Sequence, residues 1–195
     1  MIFRDATLDQ GKIKTFCCGD RELKKGFKTY LVLFAIAGAI IVFDQITKAW
    51  VRASIPLGGT WIYLSWLAPY ARIIYITNMG VAFGLLQNLG WVFAVLAVII
   101  SGVIVYYYPK VDPRDKLLRI ALPMQLAGAL GNLIDRILFG GKVTDFVSVG
   151  NFAVFNVADA SISVGVGLMV LDIIIQEIRD KRKKDEQDAP GKNIE

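Results

Sequence analysis

An all-α integral membrane protein, with four transmembrane helices, a small extracytoplasmic β-sheet element and a short surface helix, is the fold class that this sequence predicts. Three observations predict it. Hydrophobic side chains make up 55% of the 195 residues and the mean hydropathy is +0.51, too apolar for an ordinary soluble domain. The apolar residues arrive in four long runs, each near the length of about 20 residues that a helix needs to cross the hydrocarbon core. Lys and Arg gather in the segments on one side of those runs and are sparse on the other, which is the asymmetry of a multi-pass membrane chain.

Residues 1–28 are charged and lack helical apolar periodicity, so they read as a mobile arm ahead of a membrane domain at 29–176. Span 1, Tyr30 to Trp50, follows that polar arm and precedes further spans; it reads as a retained signal anchor and not a cleaved signal peptide. The loop at 51–90 holds two β-branched and aromatic stretches, Thr60 to Trp66 and Arg72 to Thr77, separated by a Pro-containing turn at Leu67 to Tyr70. They predict a small strand pair. Asn78-Met79-Gly80 breaks the second strand, and Val81 to Gln87 predicts the short surface helix. Spans 2, 3 and 4 are Trp91 to Tyr108, Leu117 to Phe139 and Val157 to Ile175, and a charged tail follows at 177–195. Trp50, Trp91, Tyr106, Tyr107 and Tyr108 stand at span ends, where interfacial aromatics belong.

Positive charge sets the orientation. Lys24, Lys25 and Lys28 precede span 1, Lys110, Arg114, Lys116 and Arg119 link spans 2 and 3, and Arg179 to Lys184 follow span 4. Both termini are expected in the cytoplasm, and the opposite loops carry only Arg52, Arg72 and Lys142. The pI near 9.2 follows from this topology, so no nucleic-acid partner is expected. Cys17 and Cys18 are adjacent and on the reducing side, which argues against a disulfide framework. With no His in the chain, zinc-peptidase chemistry is excluded and no metal is expected.

The polar residues of the spans converge on one depth. At 1.5 Å per residue, Asp44 lies about 24 Å and Lys48 about 30 Å above the inner face; Asn132 is about 22 Å up and Asp135 about 27 Å, with Arg136 beside it. Asp159, on the span running back down, is about 30 Å up. Asp145 follows shortly after the Gly140-Gly141 break that ends span 3. An ionised group in a bilayer costs roughly 2.5 to 3.5 kcal/mol, so acids gathered at the extracytoplasmic boundary mark a functional site. Two carboxylates in a poorly solvated site cannot both ionise cheaply; one keeps a proton, and the pair can serve as general acid and general base. Peptide hydrolysis through an activated water needs those two roles and no cofactor.

The motifs then resemble one family. Asp44-Gln45-Ile46-Thr47-Lys48, Asn78-Met79-Gly80-Val81-Ala82-Phe83-Gly84, Gly128 to Arg136 continuing to Val143-Thr144-Asp145-Phe146, and Phe155-Asn156-Val157-Ala158-Asp159 look like the ordered motifs of lipoprotein signal peptidase, signal peptidase II. The resemblance implies an aspartic endopeptidase of the bacterial cytoplasmic (inner) membrane, active near the extracytoplasmic face. It would remove the signal peptide from diacylglyceryl-modified prolipoproteins by cutting just before the lipidated cysteine. It implies Asp145 and Asp159 as the catalytic pair, and Asn132, Arg136, Asn156, Asn78, Asp44, Lys48 and Asp135 as substrate-binding or supporting residues. A monomer, surrounded by membrane lipids and sensitive to the cyclic peptide globomycin, is also implied. Val81 stands where the family usually has alanine, and the N-terminal arm exceeds the family minimum.

Several residues have simpler readings. The i, i+4 spacing of Asp44 and Lys48 is that of an intrahelical ion pair, and that structural role is preferred over direct catalysis. Asp135 beside Arg136 reads as a solvated interfacial pair, whereas Arg136 is as well suited to holding a substrate carbonyl or lipid ester oxygen. Gly128 and Gly131 read as helix-packing positions and not as a phosphate-binding loop, Asn132 serves a shaped site at least as readily as helix packing, and Trp61, Trp66 and Tyr70 serve anchoring as readily as a lipid cradle. Asp172 has no partner suggested by the sequence. The competing functional class is a small proton-coupled transporter using the interfacial carboxylates; a Ser/Lys peptidase built on Lys48 with Ser54 or Ser161 is the other, and the Asp44 pairing makes Lys48 a poor base.

Overall fold

The computed structural model describes residues 10–62, 65–79 and 89–188. Four helices, α1 (Gln10–Ser54), α2 (Gly90–Tyr107, extended by a 3-10 turn to Lys110), α3 (Lys116–Leu138) and α4 (Val157–Asp188), contain or open segments of 29, 21, 23 and 29 residues that are long and apolar enough to cross a membrane. Three strands, β1 (Thr60–Trp61), β2 (Ala71–Asn78) and β3 (Val143–Val149), form one antiparallel sheet in the order β1-β2-β3. The surface helix expected at Val81 to Gln87 lies outside the described residues.

The bundle is apolar outside and polar inside. Val95, Val98, Ile99 and Val103 on α2 and Val164, Val170 and Ile173 on α4 are exposed, while Asp44, Lys48, Asp135 and Asn156 are buried. Only a lipid solvent makes that inversion favourable, because side chains facing tails must be apolar and polar groups must find partners within the protein. Helix α3 packs against the other three helices, and Leu126 and Ala127 join Leu33, Ala37, Ile104 and Tyr108 in a core shared by α1, α2 and α3. On its other side, Gly128 leaves no room for a Cβ: one placed there would meet Ile162, the Ala158 carbonyl at 2.5 Å and the Ser161 hydroxyl at 2.8 Å. That is the close helix approach that small residues permit.

Pro123 lies inside α3 and has no N–H to donate to the carbonyl of Arg119 one turn earlier. The Tyr108 hydroxyl donates to that oxygen instead, at 3.2 Å. Tyr108 is therefore fully buried, in contrast to the interfacial position expected for it. Its neighbours Tyr106 and Tyr107 are exposed beside Lys110, whose ammonium lies 3.6 Å from the Tyr106 ring centroid.

Three sequence expectations change. The strand expected over Thr60 to Trp66 shortens to Thr60–Trp61, and β3 appears in a segment expected to be a loop. Its sequence Val-Thr-Asp-Phe-Val-Ser-Val is β-branched at alternate positions, a strand signal that the single acid obscures. Both terminal helices also run past the expected span ends, α1 beginning at Gln10 inside the arm expected to be mobile and α4 continuing through much of the charged tail to Asp188. Glu, Lys, Arg and Gln are good helix formers, and a Lys181–Glu177 pair at 2.8 Å spans one turn of the extension.

The sheet covers one end of the bundle. Val51 and Ile55 at the end of α1 pack on Phe146 of β3, and Gly141, at φ +87, turns the chain from α3 into that strand. Gly90 opens α2 against the Gly141 carbonyl, where a Cβ on Gly90 would clash with that backbone.

Candidate active site

Two carboxylates meet under the sheet. Asp145 comes from β3, whose alternation turns Val143 and Asp145 toward a cavity and Thr144 and Phe146 toward the end of α1. Asp159 stands in the first turn of α4. Asn156 precedes that helix and caps it: its side-chain oxygen accepts from the Asp159 N–H at 2.9 Å, while an Asp159 oxygen accepts from the Asn156 N–H at 3.3 Å. This reciprocal cap fixes Asp159 at the helix N-terminus.

Each of the four carboxylate oxygens accepts from an amide. Asn156 Nδ2 donates to Asp145 Oδ1 at 2.7 Å and Asn78 Nδ2 to Asp145 Oδ2 at 3.2 Å. Asn132 Nδ2 donates to Asp159 Oδ1 at 2.7 Å, and the Asn156 N–H to Oδ2. Asn156 thus holds both acids. Burial pushes the Asp145 carboxyl up to about 7, helped by the neighbouring Asp159 charge and opposed by the Asn156 and Asn78 amides and by Lys48.

A polar layer stands behind the pair. Lys48 Nζ lies 2.8 Å from Asp44 and 3.8 Å from Asp135, and donates to Asn132 Oδ1 at 3.0 Å. Asp44 Oδ1 accepts from the Ala158 N–H at 2.9 Å, one residue before Asp159. Asp135 Oδ2 accepts from the Thr144 N–H at 2.8 Å, one residue before Asp145. Two buried acids therefore anchor the backbone beside the two cavity acids. The ion pair expected between Asp44 and Lys48 is present, fully buried. The solvated Asp135–Arg136 pair is not: Asp135 is 0% exposed and turns to Lys48, Gln45 and Thr144. The reason is the helix itself, since adjacent residues project about 100° apart and only one can face the cavity.

Arg136 is the one that faces it. The cavity, about 620 Å³, is lined by Asp145, Asp159, Asn78, Asn132 and Arg136 at its polar end and by Phe93, Leu96, Ala97, Ile100, Ala129 and Ile162 along its apolar side. Arg136 is 8% exposed, its Nε has no hydrogen-bond partner, and its guanidinium stands 5.6 Å from the Phe93 ring centroid. Asp172 lies apart on α4, accepting from Gln176 at 2.7 Å. Gln45, Arg52 and Thr144 also belong to the polar layer and were not expected there. Gln45 Nε2 bonds Asp44, Asp135 and the Gly131 carbonyl, and Arg52 bonds Thr144. For Arg52 a signal existed: Asp44, Lys48 and Arg52 recur every fourth residue on one helix face.

Residues 36–175 match the family model described as signal peptidase (SPase) II. A lipoprotein signal peptidase of Shouchella clausii is 40% identical over 153 residues, covering 76% of this chain and 97% of that relative. One of Halalkalibacterium halodurans is 37% identical, covering 79% and 99%. Two solved structures of bacterial membrane enzymes superpose with TM-scores of 0.67 and 0.64 at 28% and 30% identity, covering 84% and 72% of this chain and 94% and 91% of theirs. With the four spans, the sheet and the motif residues gathered at one end of the bundle, the chain belongs to the signal peptidase II family, membrane peptidases of bacteria that process lipoprotein signal peptides.

Proposed function

We propose that Asp145 and Asp159 are an aspartic dyad that cleaves diacylglyceryl-modified prolipoproteins immediately before the lipidated cysteine. The observation that carries this reading is the pair itself: Asp145 buried and Asp159 half-buried, every oxygen oriented by an amide, open to one cavity with an apolar side. At neutral pH the pair shares one proton. The ionised member takes a proton from a water as its oxygen bonds to the scissile carbonyl carbon. The protonated member donates to the carbonyl oxygen and then, as the C–N bond breaks, a proton passes to the leaving amine. Neither step uses a metal or cofactor.

Asn132, Asn156 and Asn78 hold the acids in place, and Asp44, Lys48 and Asp135 hold the backbone and amides behind them. Arg136, with its Nε unsatisfied at the cavity wall, supplies a donor for a substrate carbonyl or lipid ester oxygen. The apolar side of the cavity suits a substrate that arrives from the bilayer, and the same cavity would admit globomycin. The enzyme works as a monomer among membrane lipids, with both termini in the cytoplasm and the sheet at the extracytoplasmic face, consistent with Lys110, Arg114, Lys116 and Arg119 at the opposite end.

A proton-coupled transporter fits less well. Asp44, Asp135, Asp145 and Asp159 gather at the sheet end, and a relay needs titratable groups at successive depths. A Ser/Lys peptidase fits no better, because the Ser161 hydroxyl donates to backbone carbonyls and Lys48 is bound to Asp44. Incubating the detergent-solubilised protein with a purified diacylglyceryl prolipoprotein and its unlipidated form, and weighing the products, tests the proposal. Cleavage before the cysteine of the lipidated form alone is expected; a cut elsewhere, or none, overturns it.

A further inference from the structure

Thr144 is held twice. Its N–H donates to Asp135 Oδ2 at 2.8 Å, and its hydroxyl accepts from Arg52 Nη1 at 2.9 Å. Arg52 in turn lies 3.6 Å from Asp135 Oδ1, and its guanidinium stacks 4.5 Å from the Phe139 ring centroid. A planar guanidinium that spans a hydroxyl, a carboxylate and an aromatic face has one orientation, which a lysine in its place would not share.

The clamp sits beside the irregularity of the sheet, at Thr144, which pairs with Thr77. Strands β2 and β3 pair Ile73 with Val147 and Ile76 with Asp145, so the register shifts in the interval that ends at Asp145. A register shift of this kind changes the local twist, so the direction of the residues beside it also depends on contacts outside the ladder. Thr144 and Asp145 point to opposite faces, so any rotation of β3 that releases Thr144 swings the Asp145 carboxylate relative to Asp159.

We propose that Arg52 is a positioning residue: with Asp135 it clamps Thr144 from behind β3 and so sets the direction in which Asp145 faces Asp159. The proposal rests on Asp145 and Asp159 being the reacting pair. Arg52 does not line the cavity, so it acts on turnover through the strand and not on substrate capture.

The test is cleavage kinetics of the purified diacylglyceryl prolipoprotein across a pH series, for the wild type, Arg52→Ala, Arg52→Lys, Thr144→Val, Thr144→Ser and Asp145→Asn, with thermal unfolding measured for each. Expected is a kcat about tenfold lower in Arg52→Ala and Thr144→Val with KM within twofold, and an alkaline limb of the kcat profile displaced to lower pH, since a loosened strand lets water reach Asp145. Thr144→Ser restores the hydroxyl and should restore the wild-type profile. Arg52→Lys should recover only part, and the double variant Arg52→Ala/Thr144→Val should be no worse than the more damaged single. Unchanged kcat in Arg52→Ala overturns the proposal. So does a loss that follows the fall in unfolding temperature across all variants with no pH displacement, or a purely additive double variant. Cleavage retained by Asp145→Asn would instead bring down the dyad itself, whatever the Arg52 variants do.

Discussion

Replacing Lys48 by methionine keeps an unbranched side chain one atom shorter and removes its charge at the point where two buried acids and the Asn132 amide meet. Asp44, at 2.8 Å, loses its cation, and Asp135, at 3.8 Å, retains only Arg52 at 3.6 Å. Breaking a buried ion pair by removing one partner costs about 3 to 5 kcal/mol, because the remaining charge stays desolvated and unpaired. At about 2 to 4 °C per kcal/mol for a chain of this size, the unfolding temperature should fall by roughly 6 to 20 °C. Asn132 Oδ1 also loses the donor that fixes its amide on Asp159. A hydrogen bond to a charged group contributes about 1.5 to 3 kcal/mol, so kcat should fall on the order of tenfold to a hundredfold. Adding Asp44→Asn to Lys48→Met removes the stranded charge while its side-chain oxygen still accepts from the Ala158 N–H, so part of the stability should return. The assay is thermal unfolding in one detergent beside cleavage at saturating substrate. An unfolding temperature within about 1 °C of wild type, or a double variant less stable than Lys48→Met, would refute the reasoning.

Other consequences follow from the same contacts. The Asp145 carboxyl is raised from 3.8 to about 7 in the folded protein, so the stability tied to its protonated form is complete below 3.8 and is lost as pH rises through about 7. The unfolding temperature of Asp145→Asn should therefore gain on that of wild type between those values, and a constant difference would contradict the shift. The cleavage rate of the wild type should decline as pH rises through about 7, where the pair loses its shared proton; a rate that still climbs beyond it would count against acid catalysis. In Gly131→Ala the new methyl would lie 2.9 Å from Asp44 Oδ2 and 3.2 Å from the Ala158 methyl, so the variant should lose about 1 to 3 kcal/mol despite alanine's better helix propensity. A rise in unfolding temperature would show that Asp44 can yield. Tyr108→Phe leaves the Arg119 carbonyl beside Pro123 without its donor and should cost about 1 kcal/mol in unfolding measurements; no change would mean that water replaces the hydroxyl.

What could be read from the residues differs by length scale. Spans 2, 3 and 4 begin within one residue of their expected starts, since a run of lipid-facing side chains has no competing interpretation. Depth counting brought Asp44, Lys48, Asn132 and Asp159 to one level, because a helix converts residue number into distance. Strand β3 escaped because its acid breaks an apolar alternation that becomes visible only once Asp145 is known to face a cavity. The burial of Asp135 is hidden in the sequence for a related reason: which way a residue faces at a helix end depends on the neighbours Lys48, Gln45 and Thr144, distant in sequence. Arg52 lies past the expected end of span 1 and so reads as a loop charge, although it continues the Asp44–Lys48 stripe by one turn and α1 ends only at Ser54.

Cleavage by Asp145→Asn and Asp159→Asn, each shown to fold by its unfolding transition, tests the dyad most directly. Asparagine preserves the shape of each side chain and removes its capacity to hold and release the proton. Each variant should lose at least a thousandfold in kcat on the diacylglyceryl prolipoprotein, about 4 kcal/mol of transition-state stabilisation. Turnover within about tenfold of wild type by either folded variant would contradict the assignment of that carboxylate to the reacting pair.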